Sequence, residues 1–201
     1  MREPRLTLVL LMVSVVAVAC GQPPIPQDRF YRLEAPSPET VVDPPRLEGT
    51  LEVVRMAADG LTAGRPIVYS DAGNPLEAAE YAYHFWTQPP TIMLRDELVK
   101  YLRAAGVARA VVTPELRLEP DYVLTGRIKR LERVLGGTPK ALIEMELALR
   151  QRRDERLIVL RTYRSEHAVP EDSVAATVTA MNTALAEIYA NFLEDLLAAG
   201  S

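Results

Sequence analysis

The strongest constraint on the fold is a series of three long alternating segments in the second half of the chain, at residues 122–134, 141–150 and 157–167. In the middle segment the apolar residues on one side are Ile143, Met145, Leu147 and Leu149, and the charged residues on the other are Glu144, Glu146 and Arg150. This period of two is typical of a strand with one face in the core and one in water. Gly136 and Gly137 separate the first two segments, and polar residues separate the others. The sequence therefore predicts an antiparallel three-stranded meander.

Two further segments have the spacing of amphipathic helices. The first follows Pro89 and Pro90, ends at Gly106 and places Leu94, Leu98, Tyr101, Leu102 and Ala105 on one face. The second begins near residues 171–173 and carries a longer stripe: Val174, Val178, Met181, Leu185, Ile188, Phe192 and Leu196. We expect both helices to cover the apolar face of the sheet.

The first half of the domain reads mainly as strands. Apolar or alternating runs at 47–54, 67–69, 81–86 and 107–112 are bounded by turn residues such as Asp59-Gly60. Together with the meander and the helices they predict an α+β fold. In that fold a mostly antiparallel sheet packs against two helices on one face.

The N-terminus has the layout of an export signal. Arg2 and Arg5 precede an apolar run at 6–19 that closes on small residues before Cys20, the only cysteine. As a helix this run would span ~21 Å, whereas the hydrocarbon core of a membrane is ~30 Å thick. Ala17–Ala19 fits an ordinary signal-peptidase site, while residues 16–20 resemble a bacterial lipobox, with Ala17 where Leu is most common.

The cysteine favours the lipobox. An unpaired thiol at a new N-terminus would be prone to oxidation in an oxidising compartment, whereas a lipoprotein needs Cys20 to carry its acyl chains, such as palmitate. Two or three chains would make the attachment effectively permanent. Gly21 follows, and by the general sorting rule that aspartate at this position retains a lipoprotein in the inner membrane, glycine implies the outer membrane, with the domain in the periplasm.

Seven prolines mark residues 21–45 as a semi-extended spacer, with a possible short edge strand at 29–33. The sequence thus divides into a signal peptide (1–19), a lipidated cysteine with a tether (20–45), and one domain (46–200). Cleavage after residue 19 removes two arginines and one glutamate, so the formal charge changes from −4 to −5. That balance argues against a nucleic-acid partner.

The sequence contains few residues of the types that usually act in catalysis. His84 and His167 fall on different predicted strands, and the single cysteine is at the anchor. The sequence has no zinc-ligand spacing, phosphate-binding glycine loop or nucleophile elbow. His84, between aromatic residues, is typical of a packed histidine. We therefore expect a protein that is not an enzyme and that needs no metal or cofactor.

Trp86, with Pro89 and Pro90, is one candidate site for partner docking. A lone tryptophan beside two rigid residues can form an apolar platform for another protein. The favoured alternative is that Trp86 closes the end of the core while the prolines set the bend.

A second candidate is a set of basic residues that could contact anionic lipid headgroups: Arg127, Lys129, Arg130 and Arg133. The alternative is a solvated face of cross-strand charge pairs, each contributing about 0.2–1 kcal/mol. Pairing through the Gly136-Gly137 turn places Lys129 near Glu146, and the next hairpin is expected to bring Arg161 near Glu146 as well.

Several short motifs, in this order, resemble the ABC-type transport auxiliary lipoproteins, the PqiC-like family. They are Tyr31-Arg32-Leu33, Ile67-Val68-Tyr69, Tyr83-His84-Phe85-Trp86 followed by Pro89-Pro90, Asp121-Tyr122-Val123-Leu124 with Gly126, and the alanine-rich last helix. The resemblance implies a non-catalytic accessory of a lipid transport system that works with an ABC transporter and a mammalian-cell-entry (MCE) domain protein. It also implies a possible homo-oligomer, and an edge near Tyr31 or Val53, if exposed, would offer backbone groups to a neighbour. An assembly or pilot lipoprotein of another outer-membrane complex is the alternative.

Overall fold

A computed structural model describes residues 26–199, which form an α+β domain. Nine strands form its sheet: β1 (Arg29–Tyr31), β2 (Leu47–Val53), β3 (Ala57–Ala58), β4 (Pro66–Asp71), β5 (Asn74–Trp86), β6 (Ala108–Val112), β7 (Tyr122–Leu135), β8 (Lys140–Gln151) and β9 (Leu157–Ala168). The helices are α1 (Pro90–Ala105) and α2 (Val174–Ala198). These bounds confirm the predicted α+β class and lie within about two residues of the predicted meander and helices.

The sheet is organised around β7. One edge of β7 pairs along its length with antiparallel β8, and β8 pairs with antiparallel β9, so the predicted meander is confirmed. The other edge receives β2, β3 and β4 in turn, all parallel to β7. β6 lies beyond β2, and β5 and then β1 lie beyond β4. The sheet is therefore mixed, since β2, β3 and β4 run parallel to β7 whereas β5 runs antiparallel to β4.

Both helices lie on the same apolar face, as expected. Pro90 opens α1, and Gly106 ends it in the left-handed region with φ 68°. Ser173 caps α2, since its side chain accepts a hydrogen bond from the backbone N–H of Ala176 at 3.1 Å. The helices touch through Tyr101 and Tyr189, whose ring centres are 5.5 Å apart.

The segment that precedes β2, which lies within the range expected to be a tether, packs on the domain. Leu33 is 2% exposed and Ala35 is also buried. The backbone N–H of Ala35 donates to Glu97 Oε2 at 2.9 Å, and that of Val42 donates to the carbonyl of Ala105 at 2.8 Å. Residues 34–42, called the strap below, are thus fixed to α1 at two points. Prolines remove backbone donors but do not prevent such packing.

Candidate functional site

The predicted lipidation site, Cys20, lies outside the described residues. From residue 26 to residue 199, no helix combines the length and apolar character needed to cross a membrane. A lipid anchor therefore stays a prediction from the sequence.

The structure places Trp86 in the core. Its side chain is 1% exposed at the end of β5. Its backbone N–H donates to the carbonyl of Arg65 at 2.7 Å, and Arg65 Nε donates back to the carbonyl of Trp86 at 3.1 Å. Pro90 is buried and Pro89 is half-buried. In this conformation the indole ring offers no surface to a partner.

The exposed aromatic residues near this corner lie instead on β1 and β5. Phe30 is 55% exposed and Tyr83 is 43% exposed. The rings of Phe30 and Phe85 stack with centres 5.8 Å apart, and the guanidinium of Arg65 lies 5.6 Å from the centre of the Phe30 ring. Sequence reasoning missed Phe30, although it alternates with Tyr31 in the predicted edge strand and so faces away from the core.

β1 is an outermost strand of the sheet. Within the described residues it pairs with β5 alone, and its register joins Arg29 to His84 and Tyr31 to Trp86. The second edge expected from the sequence, at Val53, is covered, because β2 lies between β6 and β7. We call the outer side of β1 with Phe30 and Tyr83 the β1 edge. It combines unpaired backbone groups with exposed aromatic rings.

The two histidines are held apart and each has a structural partner. The hydroxyl of Tyr31 lies 2.8 Å from Nδ1 of His84. Burial lowers the pKa of His84, and the positive charges of Arg29 and Arg133 lower it further, so the site disfavours the charged ring. The His84 ring also stacks on that of Tyr31, with ring centres 5.6 Å apart, as in the packed histidine expected from the sequence.

His167, on β9, lies 2.9 Å from Glu187 through its Nε2, and Ser165 also donates to Glu187 at 2.6 Å. These hydrogen bonds, first that of Ser165 and then that of His167, lower the pKa of Glu187. Across residues 26–199 no group of three or more His, Cys, Asp or Glu is placed to hold a metal ion.

The four basic residues considered for headgroup binding all have acidic partners. The pairs are Arg127 with Asp59, Lys129 with Glu146, Arg130 with Glu132, and Arg133 with Asp172. Arg133 is only 5% exposed and also donates to the hydroxyl of Tyr81 at 2.9 Å. The structure thus does not gather these residues into one exposed cationic surface.

The predicted contact between Lys129 and Glu146 is confirmed, with Nζ and Oε2 3.6 Å apart. The predicted contact of Arg161 with Glu146 is wrong. The register pairs Glu146 with Thr162, which places Arg161 on the helix side of β9. There Arg161 donates to Asp195 of α2 at 2.6 Å.

These features define a small α+β domain with half-buried, hydrogen-bonded histidines, paired surface charges and an unpaired strand edge. The family model described as the ABC-type transport auxiliary lipoprotein component matches residues 31–191. That range runs from β1 through most of α2. The chain belongs to this family.

Solved structures share the fold. The crystal structure of protein XCC0632 from Xanthomonas campestris is similar with a TM-score of 0.73 and 24% identity, covering 86% of this chain and 96% of that one. A dodecameric PelC structure from Paraburkholderia phytofirmans is similar with a TM-score of 0.51 and 14% identity, covering 81% and 95% of the two chains. At these identities the likeness establishes the fold alone. Among curated proteins, none matches this chain.

Proposed function

We propose that this chain is a periplasmic lipoprotein, held in the outer membrane through Cys20, that serves as a non-catalytic accessory subunit of a lipid transport system. Its partners in this proposal are an ABC transporter and an MCE-domain protein. The observation that carries the proposal is the family match over residues 31–191, which spans nearly all of the folded domain.

The side-chain chemistry supports an accessory role. His84 is hydrogen-bonded to and stacked on Tyr31, and His167 is hydrogen-bonded to Glu187 on α2. General acid–base or nucleophilic catalysis needs such groups to converge on one cleft with perturbed proton affinity. The two histidines instead lie on separate strands, β5 and β9, and do not converge on one cleft.

The length of the chain before β1 restricts where an anchored domain can sit. Cys20 and Arg29 are nine residues apart. Since an extended chain gains at most ~3.6 Å per residue, the start of β1 would stay within ~32 Å of Cys20. β1 runs parallel to β5, so the chain that enters β1 comes from the side of the β4–β5 hairpin. This end of the domain would therefore face the anchoring membrane.

Docking through the β1 edge fits this arrangement. A strand added to the edge would gain main-chain hydrogen bonds, and Phe30 and Tyr83 would supply apolar contacts. We also propose that copies of the chain associate, a proposal to which the dodecameric PelC structure lends support at the level of fold. Sedimentation of the full chain in detergent as a monomer at high concentration would argue against self-association.

Site-specific crosslinking in native envelopes tests the proposed partners. A photocrosslinking residue is placed at Phe30 or Tyr83, with Asp154, on the turn between β8 and β9, as the matched exposed control. We expect an MCE-domain protein to be captured from the first two positions and not from the third. Capture of an outer-membrane barrel or secretin, without an MCE protein, would overturn the transport proposal in favour of an assembly or pilot lipoprotein.

The anchor has its own test. Mass spectrometry of the N-terminal peptide of the envelope protein should show acyl chains on Cys20 and loss of residues 1–19. Cys20→Ser should release the domain from the membrane fraction. An unmodified cysteine in a membrane-bound protein would contradict the lipoprotein assignment of this residue.

A further inference from the structure

The β4–β5 hairpin carries the most exposed large apolar side chain of the described residues. Leu76 is 98% exposed at the start of β5, directly after Pro75. By comparison, the exposed leucines Leu116 and Leu160 are each 56% exposed, because the domain covers part of each side chain. Burial of apolar surface is favourable in proportion to the area removed from water, so Leu76 has the most to gain from contact with an apolar partner.

The segments around Leu76 carry no charge. Residues 72–76 form the end of the β4–β5 hairpin, and residues 135–139 lead from β7 into β8. The two segments touch, since the backbone N–H of Ala72 donates to the carbonyl of Leu135 at 2.8 Å. Neither segment contains a charged residue. We call residues 72–76 and 135–139 together the tip of the domain. The tip thus presents one exposed leucine on two uncharged turns.

The opposite end of the sheet has the reverse character. It includes the β8–β9 turn, in which every residue from 152 to 156 is charged. The segment that leads into β7 at this end adds Glu115, Arg117 and Glu119. Transfer of charged groups from water toward lipid is costly, whereas uncharged turns avoid most of that cost. Of the two ends, the tip is therefore the one suited to approach lipid.

The register of β1 limits how far the proposed anchor can lie from the tip. β1 is parallel to β5, with Arg29 opposite His84. Cys20 precedes Arg29 by nine residues, and Pro75 precedes His84 by the same number. A strand and an extended spacer both advance by ~3.3 Å per residue, so a fully extended spacer would bring Cys20 level with Pro75. A less extended spacer would leave Cys20 short of that level. A membrane surface at Cys20 therefore lies within reach of the tip.

We propose that the tip rests on the bilayer that holds the acyl chains of Cys20, with Leu76 inserted at the level of the lipid headgroups. This inference rests on the lipid anchor of the proposed function and adds a second, non-covalent membrane contact to it. The contact is apolar. Glu77 follows Leu76 on β5, but its side chain lies on the other face of the strand and accepts a hydrogen bond from Asn74 at 2.7 Å. Salt should therefore have little effect on the contact.

Quenching by labelled lipids tests this contact. The full chain, purified from membranes, is reconstituted in vesicles of phosphatidylethanolamine and phosphatidylglycerol. A nitrobenzoxadiazole fluorophore is attached through Ala72→Cys at the tip, which leaves Leu76 in place, or through Asp154→Cys at the opposite end as the exposed control. Since acylated Cys20 has no free thiol, the new cysteine alone reacts. Lipids with a nitroxide on the upper acyl chain should quench the fluorophore at the tip several-fold more strongly than the control fluorophore.

Two aspartate variants identify the side chain responsible. Leu76→Asp leaves the fold intact, because the leucine side chain makes almost no contact with the domain, but it places a charge where the lipid contact is proposed. It should lower the quenching at the tip several-fold. Leu116→Asp is the matched control, since it also adds a charge at an exposed leucine, at the opposite end of the domain. It should leave the quenching at the tip unchanged.

Flotation of the vesicles reports on the anchor separately. If the chain floats with the vesicles but the fluorophore at the tip is quenched no more than the control, the lipid anchor stands and the tip contact is wrong. The same conclusion follows if Leu76→Asp has no effect, or if added salt abolishes the quenching, which would assign the contact to charged groups. If the chain does not float, the anchor is contradicted, and the tip contact that rests on it is overturned as well.

Discussion

Replacing Leu33 by alanine tests whether the segment that joins β1 to the strap is part of the folded domain. The Leu33 side chain is 2% exposed and belongs to the core, and its backbone N–H lies 3.4 Å from the sulfur of Met93 on α1. Truncating a fully buried leucine removes its transfer free energy and leaves a cavity, at a combined cost of about 2–5 kcal/mol. The same change in a solvated tether would cost close to nothing.

The protein carries its own reporter for this measurement. Trp86 is the only tryptophan and is buried, so its fluorescence changes when the domain unfolds. Urea unfolding of the full chain in detergent should show a lower unfolding free energy for Leu33→Ala with an unchanged slope. In a domain of this size, each kcal/mol shifts Tm by about 2–4 °C, so the variant should melt roughly 4–20 °C lower.

The matched control lies eight residues further along the same segment. Val41 is 70% exposed, so Val41→Ala should change the unfolding free energy by less than about 0.5 kcal/mol. If Leu33→Ala behaves like Val41→Ala, the packing of Leu33 against α1 is wrong.

Three other predictions follow from single contacts. Hydrogen bonds from the side chains of Thr113 and Arg95 lower the pKa of Glu115 from 4.5 to about 2. The ionised carboxylate therefore stabilises the folded state fully above pH 4.5, and this stabilisation is lost as the pH falls toward 2. NMR titration of Glu115 should give a midpoint near pH 2. In Glu115→Gln the free energy of unfolding should fall less between pH 4.5 and pH 2 than in the unmodified protein. Ser173→Ala should cost about 1 kcal/mol in urea unfolding, because it removes the N-cap of α2, and no change would contradict the cap. Arg133→Gln should lower the free energy of unfolding by about 1–3 kcal/mol, because it breaks buried hydrogen bonds to a charged group. The control Arg127→Gln, at an exposed ion pair, should lower it by less than about 0.5 kcal/mol. Loss of binding to anionic vesicles in either variant would support the headgroup hypothesis.

The parts of the fold that the sequence predicted depend on local patterns. In β8 the alternation from Ile143 to Leu149 gives the buried face directly, since each of these apolar residues is inaccessible to solvent. The helix ends were predictable for a similar reason, because Gly106 and Ser173 act on backbone groups of their own helix. Periodicity and capping need no knowledge of distant residues.

The parts that the sequence did not predict depend on pairing between distant residues. Nothing local distinguishes a strand that runs parallel to β7 from one that runs antiparallel to it. The burial of Leu33 likewise requires Met93 and α1, sixty residues away. Arg161 was assigned to the wrong partner because a shift of one position in register moves a side chain to the opposite face of the sheet.

The position of the candidate docking surface also follows from topology. One edge of β7 pairs with β2, β3 and β4, and β5 and then β1 follow beyond β4. β1 is therefore the outermost strand on that side of the sheet. Tyr31 turns inward to meet His84, and the alternation of side chains then forces Phe30 outward. Since β1 comes only nine residues after Cys20, a partner that pairs with β1 would bind close in sequence to the proposed lipid anchor. Under the proposed function, docking at β1 would restrain the domain close to the point where its tether begins.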